Sequence, residues 1–193
     1  YYEMLYDGNP LSIVTIPGMQ ERTVILYTFS KKYAMTGWRV GGSIGPKTII
    51  NIISKLNTNA ESCTTHFIQA AMVEALTGDQ SGAQNILNTL RERRDATVAG
   101  LNSMDGIDIP TPRSTFYLFP NVTEIMKRKR FDKIEQLQVY ALENANVSFC
   151  TREHFGRTLS DETEFFIRFA YSGITVHDIN EGMATLKTCF ENS

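Results

Sequence analysis

The fold of this chain is decided by residues 28–41, which read TFSKKYAMTGWRVG. A β-branched and aromatic run at residues 23–29 leads into them and predicts a short buried strand. Residues 38–44 predict a second strand, in which adjacent glycines allow a close backbone approach. Lys31 therefore lies on a loop between two predicted strands.

Most loop lysines are solvated surface residues, so the position of Lys31 alone predicts no role. Two neighbours change this interpretation. A hairpin-like return of the chain would bring Arg39 back beside Thr28, which places a guanidinium and a hydroxyl near the lysine amine. This combination suits a phosphorylated ligand that carries an aldehyde.

Helices dominate the middle of the chain. Apolar residues at helical spacing predict helices over residues 46–57, 66–76 and 81–101. After residue 107 the pattern becomes mixed, because strand-like runs alternate with helical ones. The strand-like runs are residues 107–109, 115–119, 146–150 and 165–171, and the helices are residues 133–144 and 177–190. Strands mixed with helices predict a compact α/β unit.

Composition excludes several classes of protein. The 193 residues carry a formal net charge of -2, which gives no reason to expect nucleic acid or an anionic membrane as a partner. No apolar run approaches the roughly 20 residues that a membrane span needs. The three cysteines are far apart in the sequence, which favours free thiols in a reducing compartment, and we expect a cytoplasmic location.

Residues 28–41 resemble the pyridoxal-phosphate attachment site of class I/II (fold type I) aminotransferases. The resemblance implies that Lys31 binds pyridoxal 5'-phosphate as a Schiff base, the internal aldimine. It implies that Arg39 binds the cofactor phosphate and that Thr28, at a position usually held by serine, adds a hydroxyl. By the same resemblance Tyr1 would donate a hydrogen bond to the 3'-oxygen of the pyridine ring.

The resemblance continues into the second half of the chain. Residues 115–120, TFYLFP, resemble a strand of the family's small domain, and Phe155-Gly156 matches the end of a motif that usually begins with Pro-Gly. Here Thr151-Arg152 occupy the Pro-Gly positions, so we expect a different loop shape. Arg168 lies in an apolar strand, where the residues alone favour a buried ion pair with an acidic side chain. The resemblance implies instead that Arg168 binds the α-carboxylate of the substrate.

These features together predict an α/β chain made of two parts. Residues 1–75 would be the end of the large cofactor-binding domain, and residues 76–193 would be a small α/β (α+β) C-terminal domain with its connecting long helix. The chain begins with the apolar and aromatic sequence YYEMLY and has no initial methionine. We therefore expect a C-terminal half whose missing N-terminal half supplies the rest of the site, so that the fragment alone is a poor enzyme.

The function implied is transamination of an amino acid to a 2-oxo acid, by an enzyme that is usually a homodimer. Two alternatives remain open. A carbon–sulfur lyase or other eliminase could use the same fold and cofactor, and a non-catalytic fragment could serve only as a folding or interface module. The basic cluster at residues 127–130 is interpreted as a solvated lead-in to the next helix, because no aromatic platform for nucleic acid accompanies it. The three histidines are scattered, and we expect no metal site.

Overall fold

The lysine stretch lies on a β-hairpin, as its sequence predicts. In the computed structural model, which describes residues 1 and 3–192, strand β1 (Ile25–Thr28) pairs antiparallel with strand β2 (Gly41–Ile44). The second strand is shorter than predicted, because Thr36–Trp38 form a 3-10 turn instead of strand.

The two glycines at the start of β2 have different roles. A Cβ on Gly41 would lie 2.5 Å from the carbonyl oxygen of Tyr27, so the strands could not keep this separation with any other residue. A Cβ on Gly42 would meet nothing within 4 Å. The close approach predicted for this pair is confirmed for Gly41 only.

The described chain divides into two compact units, Tyr1–Leu87 and Asn88–Ser193. The boundary at residues 75 and 76, drawn from the sequence, stays a prediction.

The first unit contains the hairpin and two helices that follow it, α1 (Lys47–Ala60) and α2 (His66–Thr77). Pro46 precedes α1, where its fixed φ suits the start of a helix. Neither helix has a fully buried residue. Apolar side chains spaced along α1 stay exposed, among them Ile52 and Leu56 at 60% and 64%. The first unit thus leaves large apolar faces uncovered.

The long charged run forms helix α3 (Ser81–Asn102), close to its predicted bounds. Within the second unit α3 approaches helix α6 (Val176–Glu191) closely at Gly100. A Cβ on Gly100 would lie 2.5 Å from Cγ of Met183. Glycine therefore allows these two helices to pack at this point.

The second unit is built on a three-stranded antiparallel sheet in the order β3-β5-β4. The strands are β3 (Tyr117–Leu118), β4 (Cys150–Thr151) and β5 (Ile167–Ala170). The pairing of β5 continues past these bounds, because Tyr171 N donates to Phe116 O and Val122 N donates to Phe165 O. The strand-like character predicted for residues 165–171 is therefore confirmed, with a shorter regular part.

Three helices of the second unit pack together, because α4 (Thr123–Lys129) and α5 (Ile134–Ala145) both contact α6, and α5 also contacts strand β4. Their apolar sides supply fully buried residues such as Ile125, Leu137 and Leu186. Helix α6 begins with a capping box, in which Thr175 Oγ1 accepts from Asp178 N. This unit has the extensive core that the first unit lacks.

Two predicted features of the second unit are wrong. Helix α4 was not predicted, and the basic cluster at residues 127–130 forms its C-terminal turn and cap instead of a solvated lead-in. Basic side chains are favoured there by the negative end of the helix dipole. Residues 107–109 form no strand, because both backbone groups of Ile109 bond to the side chain of Asn102 at 2.9 and 3.0 Å.

A membrane span would need a long helix of high apolar content. In the part of the chain that the structure describes, none of the helices meets both conditions.

Candidate active site

The loop that carries Lys31 is fixed by three buried apolar residues. Phe29, Met35 and Val40 form one hydrophobic cluster, against which partly buried side chains of α2 pack. Phe29 N donates to Val40 O at 3.5 Å, so the two ends of the loop stay paired beyond the strands. We call residues 30–39 the lysine loop. Its apolar residues hold it to the core, and Lys31 stays partly exposed at the rim.

Two hydroxyl groups meet at the start of the lysine loop. Thr28 Oγ1 lies 3.1 Å from Ser30 Oγ, and Ser30 N donates to Thr28 Oγ1 at 3.3 Å. This local bond turns the chain out of β1 immediately before Lys31. The turn places two hydroxyls and a backbone N–H within three residues of the lysine, and groups of these kinds can bind a phosphate oxygen.

Arg39 lies at the other end of the lysine loop. Thr28 pairs with Gly41 and Phe29 with Val40, so the same register places Arg39 opposite Ser30. The hairpin-like return expected from the sequence is present. Arg39 itself precedes the strand that was predicted to contain it.

The backbone of Arg39 is left-handed, with φ of 51°, and Ala34 has φ of 53°. Residues with a Cβ adopt this conformation at a cost of about 1–2 kcal/mol each. The side chain of Arg39 bonds the same turn, since Nη1 donates to Thr36 O at 2.9 Å. Backbone strain of this kind is enriched at functional sites.

A carboxylate that sequence reasoning missed links the first residues of the chain to the lysine loop. Glu3 Oε2 accepts from the hydroxyl of Tyr27 at 2.8 Å and from Nζ of Lys32 at 3.2 Å. Glu3 is two residues from Tyr1, and Met4 N donates to Tyr1 O. The turn that contains Tyr1 is thereby bonded to both sides of Lys31. Neither Tyr27 nor Lys32 stands in a sequence pattern that could have predicted this link to Glu3.

The Glu3 link also changes the acidity of its partners. Burial, and then the adjacent Glu3 carboxylate, raise the pKa of the Tyr27 hydroxyl, which therefore stays a hydrogen-bond donor. Burial lowers the pKa of Lys32, but the Tyr33 hydroxyl and Glu3 more than offset this and leave that pKa raised. Lys32 is thus held as a cation and is engaged with Glu3.

Arg168 belongs to the second unit, where it lies on β5 opposite Cys150. Its guanidinium carbon lies 4.4 Å from the ring centroid of Tyr117 and 4.7 Å from that of Phe155. Nη2 lies 3.5 Å from Sγ of Cys150. The two rings and the thiol surround the fork, and aromatic faces favour a cation in this position.

Arg168 lacks the acidic partner that its apolar strand led us to expect. Its Nε is buried without a hydrogen-bond partner, and no carboxylate of residues 1 and 3–192 pairs with the guanidinium. The buried ion pair favoured by the residues alone is therefore wrong. A buried guanidinium donor without an acceptor suits an anion that the chain itself does not supply.

The Thr151-Arg152 departure has a visible effect on local structure. Arg152–Phe155 form a 3-10 turn directly after β4. Thr151 and His154 close it, because Nδ1 of His154 lies 2.9 Å from Thr151 Oγ1 and accepts from Thr151 N at 3.2 Å. The turn carries Phe155 to the guanidinium of Arg168.

Among the described residues, one group of side chains could contact a metal ion together. His177, Asp178 and Glu181 lie near one another at the start of α6, and all three are exposed. Asp178 already caps this helix. Exposed groups of this kind are common on helix surfaces and indicate no metal centre.

The donors of the lysine loop fit pyridoxal phosphate. The hydroxyls of Thr28 and Ser30 and the guanidinium of Arg39 are of the kind that binds a phosphate, and Lys31 is an amine of the kind that reacts with an aldehyde. The close backbone approach at Gly41 pairs it with Thr28 at the base of the loop that carries the other donors. The donor set matches both functional groups of the cofactor.

Comparison with known proteins identifies the family. A family model described as aminotransferase class I and II matches residues 1–186. An aspartate aminotransferase of Rhizobium meliloti (strain 1021) is 34% identical over 165 residues, which cover 81% of this chain and 40% of that protein.

Solved structures are similar over almost the whole chain. The crystal structure of the aspartate aminotransferase from Rhizobium meliloti has a TM-score of 0.83 at 30% identity, and covers 99% of this chain and 48% of its own. The aromatic aminotransferase from Pyrococcus horikoshii OT3 has a TM-score of 0.86 at 27% identity, with 97% and 48% covered. This chain spans less than half the length of these relatives. The chain belongs to the class I and II aminotransferases, a family that depends on pyridoxal phosphate.

Proposed function

We propose that the protein transfers the amino group of an amino acid to a 2-oxo acid with pyridoxal phosphate as cofactor. The observation that carries this proposal is the pair of unusual cations. Lys31 follows the paired hydroxyls of Thr28 and Ser30 on the hairpin loop that ends at Arg39, and these groups are of the kind that binds a phosphate. Arg168 is a partly buried fork with an unbonded Nε and no carboxylate partner among the described residues.

Each predicted residue has a separate task in this proposal. Lys31 supplies the amine that attaches the cofactor through its aldehyde and later moves a proton from the substrate Cα. Thr28, Ser30 and Arg39 hold the phosphate, and Tyr1 donates a hydrogen bond to the ring oxygen. When bound, pyridoxal phosphate supplies a ring that accepts electrons from the substrate Cα.

Arg168 binds and orients the amino acid in this proposal. A planar fork donates to both oxygens of an α-carboxylate, which fixes the orientation of the bound amino acid. The rings of Tyr117 and Phe155 keep the plane of the fork from turning. The relatives are named for aspartate and for aromatic substrates. We propose an α-amino acid as the substrate and assign no particular side chain to it.

We propose that the exposed apolar faces of the first unit pack against further polypeptide of the same enzyme. Ile52 and Leu56 on α1, together with Phe67 and Val73 on α2, leave more apolar surface in water than a stable folded unit normally does. The expected N-terminal half and the partner subunit of a homodimer are the polypeptides we propose for this cover. The three free cysteines support the proposed cytoplasmic location.

The proposed function is tested by the absorbance of the complete enzyme, in which this chain is joined to the N-terminal half proposed for it and is loaded with the cofactor. Transamination predicts that a panel of amino acids, added one at a time, shifts the cofactor absorbance and yields one equivalent of the matching 2-oxo acid. A second substrate, a different 2-oxo acid, should restore the original spectrum. Formation of pyruvate and a thiol from a sulfur amino acid would identify an eliminase instead. If no amino acid changed the spectrum, the transaminase proposal would be wrong and the non-catalytic module would be favoured.

A further inference from the structure

The segment after β4 is held by an ion pair within the second unit. Nε of Arg152 lies 2.9 Å from Oε1 of Glu162, and Nη2 donates to Oε2 at 3.0 Å. The two contacts form a bidentate fork between a guanidinium and a carboxylate. The side chains are 24% and 19% exposed, so solvent screens this pair less than it screens a surface pair.

The fork closes a loop of eleven residues, 152–162. Both side chains also bond to the backbone of the same loop. Arg152 Nη1 donates to Gly156 O at 3.1 Å, and Glu162 Oε2 accepts a second bond from Leu159 N at 3.2 Å. Gly156 has φ of 133°, a conformation that residues with a Cβ rarely adopt. Four contacts therefore join the start, the middle and the end of the loop.

The loop carries the ring that covers Arg168. Phe155 lies in the sequence between Arg152 and Gly156, which are joined by the bond from Arg152 Nη1 to Gly156 O. The centroid of its ring is 4.7 Å from the guanidinium carbon of Arg168. On the far side Phe155 meets Phe119 edge to face at 6.2 Å. The position of Phe155, and through it the plane of the Arg168 fork, depends on how firmly residues 152–156 are held.

The sequence at this point lacks a proline that would restrain the backbone by itself. Motifs of this kind usually begin Pro-Gly, where proline fixes the backbone by its ring. Thr151-Arg152 lack that constraint, and the side chain of Arg152 spans the loop to Glu162. A covalent restraint on φ is thus replaced by a noncovalent one between side chains.

We propose that Arg152 and Glu162 are positioning residues for substrate binding, which hold Phe155 over Arg168 and so set the orientation of the carboxylate-binding fork. The proposal rests on the proposed function, because it assumes that Arg168 binds a carboxylate. Arg152 is not itself a second carboxylate receptor, since its Nε and both Nη groups already bond to Glu162 and Gly156.

The test compares Glu162→Gln with Asp161→Asn in the cofactor-loaded complete enzyme, in which this chain is joined to the N-terminal half proposed for it. Both changes remove one negative charge from the same loop, but Asp161 is exposed and bonds to none of the described residues. Two quantities are measured. Hydrogen exchange of residues 152–162 reports the loop, and the dissociation constant of a 2-methyl amino acid, which binds but has no Cα–H to lose, reports the carboxylate site by absorbance.

We expect Glu162→Gln to speed exchange of the loop and to weaken binding of the 2-methyl amino acid about ten- to a hundredfold, as small misplacements do. Asp161→Asn should change neither quantity. Arg152→Lys, which keeps the charge and loses the fork, should fall between them and serves as the second variant if Glu162→Gln does not fold.

Three results would contradict the inference. Exchange that is equal in Glu162→Gln and Asp161→Asn would show that the fork does not hold the loop. Faster exchange with unchanged binding would show that the loop does not position Arg168. A complete wild-type enzyme that gives no absorbance response to any amino acid would contradict the proposed function itself, and the role of this loop in substrate binding with it.

Discussion

Arg168→Met separates binding from stability, because the structure assigns the Arg168 guanidinium no carboxylate partner within the described residues. Methionine keeps the unbranched apolar part of the side chain and removes the charge. If Arg168 belonged to a buried ion pair, loss of one partner would lower the free energy of unfolding by about 3–5 kcal/mol. The structure predicts a much smaller change.

The expected size follows from the contacts of the side chain. Removal of a buried donor that has no acceptor relieves about 1–3 kcal/mol. Loss of the guanidinium contacts with Tyr117 and Phe155, at 4.4 and 4.7 Å, costs about 0.5–1 kcal/mol for each ring. The two effects have opposite signs and similar size. We therefore expect the free energy of unfolding to change by less than about 1 kcal/mol.

Binding should respond very differently. Charge-assisted hydrogen bonds contribute about 1.5–3 kcal/mol each, so loss of a two-pronged carboxylate contact should weaken binding by at least about a hundredfold. Urea unfolding measures the first quantity, and titration of the cofactor absorbance with an amino acid measures the second. Arg168→Lys is the control that keeps the charge without the fork. A loss of 3 kcal/mol or more in stability, or unchanged binding, would refute the reasoning.

Three further predictions concern the scaffold. Phe29→Ala, at a site only 2% exposed, should lower the free energy of unfolding by about 3–5 kcal/mol and release the lysine loop to proteolysis. Gly100→Ala should destabilise by about 1–3 kcal/mol in urea unfolding, because the new Cβ overlaps a side chain of α6, while Gly82→Ala in the same helix, with nothing within 4 Å, should stabilise. Burial raises the pKa of the Cys189 thiol above that of the unfolded thiol, which is about 8.5. The contribution of the neutral thiol to stability is therefore complete below the unfolded pKa and is lost as pH rises through the higher folded pKa. Between about pH 8 and pH 10, the free energy of unfolding of the wild type should fall more steeply than that of Cys189→Ala.

The hairpin and most helices could be predicted because their signals are local. Residues 28–41 contain their own turn chemistry, their own core residues and the glycine that the close backbone approach requires. Helices α1, α2 and α3 end within a few residues of their predicted bounds, since apolar periodicity and the breaks around them are properties of the segment itself.

The wrong or missing predictions have a common physical origin. In each case the structure depends on a side-chain contact, usually with residues distant in the sequence, that no local pattern reveals. Residues 107–109 look like a strand, but their backbone bonds are satisfied by the Asn102 side chain. Arg168 looked like half of an ion pair, and only its three-dimensional surroundings show two aromatic rings and a thiol in place of a carboxylate. Glu3 likewise gains its importance only from the folded position of Tyr27 and Lys32.

The central claim is that Lys31 is the residue to which the cofactor is attached. Lys32 is a stringent internal control, because it is adjacent in sequence but is engaged with Glu3 at 3.2 Å. Borohydride reduction of the cofactor-loaded protein, followed by peptide mass spectrometry, should place the pyridoxyl mass on Lys31 alone, and Lys31→Ala should abolish it. A stable adduct on Lys32 or another lysine, or an adduct that persists in Lys31→Ala, would contradict the account.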